Sequence, residues 1–261
     1  MKFLSIFIII STLFASVPND KLFEFITTGL EKEALSLQSE LKLTKSEKNE
    51  HLIAYLGLCG LQKLNPLKVK KDKNIIDMNK GLKILCRMGV DLNIQFHSSE
   101  NLSVLSYIIK LNNFEMVKTA IENGAIINNS IDKIYTPLLI AISLENIKII
   151  EYLILNNATL DKKVDMNGKI LTPLFLALSN ENLEIIKLLL KNSVDVNIQD
   201  HNGDTPLIYS VNMRDYELVS LFLRYGANKR IRNKLGINAE MIAFNSNPPM
   251  PRILAKLSMS Y

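Results

Sequence analysis

Residues 200–228 read DHNGDTPLIYSVNMRDYELVSLFLRYGAN, and this stretch decides the fold. The Thr205 hydroxyl can accept a bond from a backbone N–H two or three residues on, and Pro206 beside it sits where a helix needs no donor. Together they fix the start of a first helix, on which Ser210 is small enough to admit a neighbouring helix. A second helix follows, with Tyr216, Leu218, Val219, Phe222 and Leu223 at spacings that gather them on one broad face. Gly226 ends it in the left-handed conformation, and Asn202-Gly203 ahead of the Thr is a tight-turn dipeptide.

The same grammar recurs upstream. Thr136-Pro137-Leu138 and Thr172-Pro173-Leu174 repeat the signature, and Ser103-Val104-Leu105 is a weaker copy. From the Thr or Ser to the closing turn the distance is 21 residues each time: Ser103 to Gly124, Thr136 to Asn157, Thr172 to Ser193, Thr205 to Gly226. From each turn to the next Thr it is 12, 15 and 12, so insertions fall in the connecting loops. Apolar residues fill offsets 11, 13, 14, 17 and 18 in all four copies. Ala141, Ala177 and Ser210 supply the small position of the first helix.

A unit of about 33 residues with Asn-Gly, Thr-Pro-Leu, a small residue, an apolar second helix and Gly-Ala resembles the ankyrin repeat. The resemblance implies an all-α solenoid of stacked helix-turn-helix units joined by short hairpin-like fingers. It departs at the family's usual His, which is Leu139, Phe175 and Ile208 here, so the inter-repeat hydrogen bonds of that His are expected to give way to apolar contact. Residues 95–229 read as regular repeats. Residues 230–261 read as a C-terminal capping repeat, because Asn238 lies 33 residues after Thr205.

Residues 17–94 are less regular. Lys21 to Leu43 resembles an opening helix pair around Gly29. Helices are expected near Glu50–Leu64 and Met78–Met88, an ankyrin-like unit with an enlarged inner loop; Ala54-Tyr55-Leu56-Gly57 also resembles short tetratricopeptide-like units. Residues 1–16 have the layout of a secretory signal peptide: Lys2, then an apolar run from Phe3 to Ala15. Thirteen helical residues rise only about 20 Å, short of a hydrocarbon core of roughly 30 Å. Cleavage after Ala15 or Ser16 gives an exported, periplasmic or secreted protein without a stable membrane span; retention of the run gives a membrane-anchored envelope scaffold instead.

The chain has 261 residues, 48% apolar and 22% charged, with a formal net charge of +5, as a folded protein of mild basicity has. Two cysteines exclude a disulfide-framework fold. If their helices run antiparallel, Cys86 lies about three residues beyond the position facing Cys59, an offset of about 4.5 Å, so buried free thiols are expected. His51, His97 and His201 have no metal-ligand spacing, and no phosphate loop or nucleophile elbow occurs. Asp161 with Asp165 and Asp200 with Asp204 read as turn residues. Arg224, Lys229, Arg230, Arg232 and Lys234 form one basic cluster and Lys68, Lys70, Lys71 and Lys73 another, without interleaved stacking aromatics apart from Tyr225, so no nucleic acid is expected. No enzyme activity, cofactor or metal is expected.

What the resemblance implies instead is a protein partner held on the concave side of the stack. In the family the residue before the Thr sits on the finger, and those seven and eight after it lie on the concave side of the first helix. The finger row is Leu102, Tyr135, Leu171 and Asp204. The helix row includes Leu111, Leu144 and Met213 beside Lys110, Ser143, Ser179 and Asn212. Solvent exposure of the large apolar members, with Tyr135 as anchor, marks the expected interaction site.

Overall fold

The computed structural model describes residues 20–64, 78–94, 102–129, 136–166 and 168–259. The apolar run at the N-terminus, the lysine-rich segment 68–73, His97 and Tyr135 lie outside them. The chain divides into two compact units, residues 1–140 and 141–261. The first holds α1 (Asp20–Thr28), α2 (Glu31–Leu41), α3 (Lys45–Leu64), α4 (Met78–Arg87), α5 (Val104–Lys110) and α6 (Phe114–Glu122). α7 (Pro137–Ser143) begins in the first unit and ends in the second. The second continues with α8 (Ile147–Leu155), β1 (Val164–Met166), β2 (Lys169–Leu171), α9 (Pro173–Ser179), α10 (Leu183–Lys191), α11 (Pro206–Asn212), α12 (Tyr216–Arg224), α13 (Ala239–Asn245) and α14 (Pro251–Ser258). The all-α repeat architecture read from the sequence is the one observed.

Each first helix starts where its hydroxyl or amide can cap it. Ser103, Thr136, Thr172, Thr205 and Asn238 accept a bond from the N–H of Ser106, Leu139, Phe175, Ile208 and Met241, at 2.9–3.2 Å. A second column of caps, ten residues after the first, opens the second helices: Asn113, Asn146, Asn182 and Asp215 accept from Met116, Ile149, Ile185 and Leu218. These four are not legible as caps in the sequence, because a lone Asn or Asp between helices looks like any loop residue. Each second helix closes on a left-handed residue at the fixed offset: Gly124, Asn157, Ser193 and Gly226 have φ of 90°, 66°, 63° and 86°. The longer loop before Thr172 becomes the antiparallel β1–β2 hairpin, with Val164 opposite Leu171 and Gly168 at the turn.

Packing follows the columns. Offsets 13, 14 and 17 are buried in every copy, as in Ile149, Ile150 and Leu153 or Leu218, Val219 and Phe222. Where a His was absent, Leu139, Phe175 and Ile208 are buried, and Phe175 meets Tyr209 edge-on at 6.3 Å. A polar ladder nevertheless runs between successive loops, built from a different residue. The side chains four places after Gly89, Asn157 and Ser193 accept the N–H of the next loop: Asn93 from Ile126 in the first unit, Asp161 from Asp195 and Asn197 from Asn228 in the second, at 2.7–2.8 Å.

The opening pair forms as expected, with Gly29 at φ 78° between α1 and α2. α3 begins at Lys45, ahead of the expected Glu50, because Thr44 and Glu47 form a reciprocal cap: the Thr44 N–H donates to Glu47 Oε2 at 2.7 Å and the Glu47 N–H to Thr44 Oγ1 at 3.3 Å. That bonding also holds the Glu47 carboxyl below its ordinary range. His51 is a core residue with its Nδ1 2.8 Å from the Glu47 carbonyl oxygen. Cys59 and Cys86 are free, and burial pushes their thiols up to about 12 and about 11, which suppresses the reactive thiolate.

α3 and α4 touch at Gly81. A Cβ there would stand 2.5–2.6 Å from the ring of Tyr55, which is fully buried and donates from its hydroxyl to the Met78 carbonyl at 2.7 Å. Ala in place of a helical Gly gains about 1 kcal/mol in propensity, but overpacking a ring that cannot move costs roughly 1–3 kcal/mol. Gly81→Ala is therefore expected to lower the urea midpoint of unfolding. A raised midpoint would show that the Tyr55 ring gives way.

Candidate partner-binding surface

The last two fingers of the second unit are self-contained turns locked to each other. In the first, the Asp200 carboxylate accepts the N–H of Asn202 and of Asp204, both at 2.8 Å; in the next, Asn233 Oδ1 accepts from Leu235 and Ile237 at 3.0 and 3.1 Å. Two bonds join them: Lys234 N–H to the Asn202 carbonyl at 2.9 Å, and Asn233 Nδ2 to Asp204 Oδ1 at 2.8 Å. Gly203 is required at this contact. Its φ is +78°, and a Cβ would lie 2.9 Å from the Lys234 nitrogen. Asp204 is thus half-buried and holds the adjacent finger in place.

The other members of the two rows are placed unequally. Leu144 and Leu171 are half-buried, Met213 is 37% exposed, and Ser143, Ser179 and Asn212 beside them are open to solvent. Lys110 is half-buried. The exposure expected of Leu102 and Leu111 is not found: they are only 3% and 8% exposed. Leu102 directly precedes the capping Ser103, and Leu111 closes α5 with its N–H on the Tyr107 and Ile108 carbonyls, so both are drawn into the core of the first unit.

One element of the surface was missed. A cleft of about 390 Å³ opens between the end of α11 and α13, lined by Asn212 and Arg214, the chain neighbours of Met213. Its apolar lining is Ile237, Met241, Ile242 and Met250, and its polar lining includes Asn212, Arg214, Asn245 and Asn247. Ile237 and Asn245 stand one before and seven after Asn238, so they extend the finger row and the helix row into the last repeat. The signal was the 33-residue step from Thr205 to Asn238, obscured because no Thr-Pro-Leu follows it. Arg214 is the charged group of the lining.

The remaining candidates have structural duties. Lys229 of the basic cluster donates to the Leu257 and Met259 carbonyls at the end of α14, and Arg232 donates to the Gly236 carbonyl. Asp161 serves the ladder, and Asp165 accepts the Gly168 N–H at 2.7 Å. His201 lies 3.5 Å from the Asp200 carboxylate. Among the described residues no three His, Cys, Asp or Glu side chains converge as metal ligands, and no helix is long and apolar enough to cross a membrane.

Comparison with known proteins agrees with this architecture. The chain is 31% identical over 188 residues to a protein of Fowlpox virus (strain NVSL) described as an ankyrin repeat protein, covering 67% of this chain and 54% of the relative. It is 48% identical over 42 residues to an ankyrin repeat protein of Acanthamoeba polyphaga mimivirus, covering 16% of this chain and 10% of that one. The chain thus spans about half the length of the first relative and a tenth of the second. The crystal structure of the ankyrin repeat domain of Bcl-3, described as a unique member of the IkappaB protein family, superposes with a TM-score of 0.65 at 17% identity, over 93% of this chain and 99% of that one. The family profile for ankyrin repeats (three copies) matches residues 75–165 and 160–233. With more than half of its length matched by that profile, the chain belongs to the ankyrin-repeat family.

Proposed function

We propose that this chain is an exported, non-catalytic module that binds a protein partner through its fingers and the concave side of its first helices. The observation that carries the reading is accessible apolar surface on these elements: Leu235 of a finger and Met213 are exposed, Leu144 and Leu171 are half-buried, and the cleft of about 390 Å³ is lined by Ile237, Met241, Ile242 and Met250. Apolar surface bordered by polar side chains marks an interaction site. Tyr135, which precedes the capping Thr136, remains the proposed aromatic anchor, and Asp204 contributes by fixing its finger. Leu102 and Leu111, being buried, are left out of the contact surface. Export rests on the Lys2 and Phe3–Ala15 pattern. The same pattern supports a second reading, a membrane-anchored scaffold, because Leu13 or Phe14 occupies a position where a signal-peptide cleavage site prefers a small residue.

The partner is to be obtained by affinity capture on the mature chain and the complex then titrated. Changing Tyr135 and Leu171 to Ala is expected to weaken binding by roughly 1 to 4 kcal/mol with little change in melting temperature. Unchanged affinity with a large loss of stability would make these residues core and remove the surface. For export, cell fractionation with intact-mass measurement is expected to give a soluble form lacking about fifteen residues. A membrane-bound chain with Met1 retained would favour the anchored scaffold.

A further inference from the structure

The turns joining first to second helices carry a second column of left-handed residues, nine after each capping Thr or Ser. They are Asn112, Glu145, Glu181 and Arg214, with φ of 57°, 53°, 53° and 59°. Gly would adopt this conformation freely, whereas a residue with a Cβ pays about 1–2 kcal/mol for it. In the second unit all three positions hold charged, exposed side chains: two acids, then a base. Such a strained position filled by charge instead of Gly directs attention to what the charges do. Glu145 accepts the Asn182 side-chain N–H at 3.0 Å, while the Glu181 carboxylate has no bond among the described residues. Arg214 stands in the lining of the cleft and spends one N–H on the Pro248 carbonyl at 3.0 Å. Its guanidinium has five N–H donors in all, so a fork remains for a carboxylate.

The cleft supplies the rest of the chemistry. Its floor is aliphatic and thioether, and the amides of Asn212, Asn245 and Asn247 offer donors and acceptors for a peptide backbone. No carboxylate lines it. A volume of about 390 Å³ is near the lower end of ligand pockets, which run from roughly 300 to 1,000 Å³, and suits a few side chains better than a docked helix. α9 and α11 pack on each other, and packed helices stand about 8–10 Å apart, so a segment of extended chain crossing both turns would meet Glu181 and Arg214 about three residues apart at about 3.3 Å per residue. Resting on the protein-binding reading above, we infer that the partner presents an extended segment in which an aliphatic residue enters the cleft, an adjacent Asp or Glu pairs with Arg214, and a Lys or Arg about three residues away faces Glu181.

The test is fluorescence polarisation on the full chain with labelled ten-residue peptides. Two carry a Leu-Asp pair with Lys three residues to one side or the other, since either chain direction is allowed; the control interchanges Asp and Lys. Arg214→Gly removes the charge with a residue suited to a φ of +59°, so the fold is retained, which the melting temperature checks. One Leu-Asp peptide is expected to bind at least tenfold more tightly than the control, and to lose at least tenfold in Arg214→Gly. In the double variant Arg214→Glu with Glu181→Lys the order is expected to reverse in favour of the control peptide. Equal binding of all three peptides, or an affinity unmoved by Arg214→Gly, overturns the inference. If the captured partner still depends on Leu171 while the peptides ignore Arg214, only the present inference falls and the binding surface stands.

Discussion

A pair of seven- and nine-residue helices cannot bury its own apolar stripe, and the rest of the structure depends on that constraint. The sixth residue after each capping position shows it. Ile109, Ile142, Leu178 and Val211 are at most 1% exposed, whereas Phe244 in the last repeat is 72% exposed. The side chain at this position is buried only when a further repeat follows. Within each unit, stacking converts many small burials, each worth about 1.5–3 kcal/mol for a fully covered aliphatic side chain, into a shared core. It also makes every unit's geometry the condition for its neighbour's.

Polar chemistry keeps the units in register. Caps at the Thr and at the tenth residue after it set where both helices begin, and the left-handed residue at offset 21 sets where the second ends. The Asn and Asp ladder ties loop to loop, and the fingers of the last repeats are pinned by Asn233 on Asp204. At the end of the second unit the ladder position is Arg230, which cannot accept a bond from a further loop. Rigid turns held this way keep loop side chains in fixed positions, which a recognition surface needs.

Most of this was legible because each cap, turn and small residue acts locally, on neighbours a few places along the chain. Thr205, Gly226 and Ala177 reveal their tasks by type and spacing alone. The burial of Leu102 and Leu111 was not legible, because it depends on how residues distant in sequence pack around α5. The ladder was not legible for a different reason: in place of the absent His, the bonding is done by Asn93, Asp161 and Asn197, loop residues whose partners lie more than thirty places along the chain. The cleft lies in a repeat where Asn238 replaces Thr and Glu240 replaces Leu, so that pattern matching is weak there.

Hydrogen exchange of the chain with and without its bound partner tests the central claim most directly. If the fingers and first helices of the second unit form the contact, amides in residues 168–171, 200–213 and 233–245 slow on binding while α10 and α12 are unchanged. Protection confined to the second helices α10 and α12, with the fingers exchanging as before, would contradict the account.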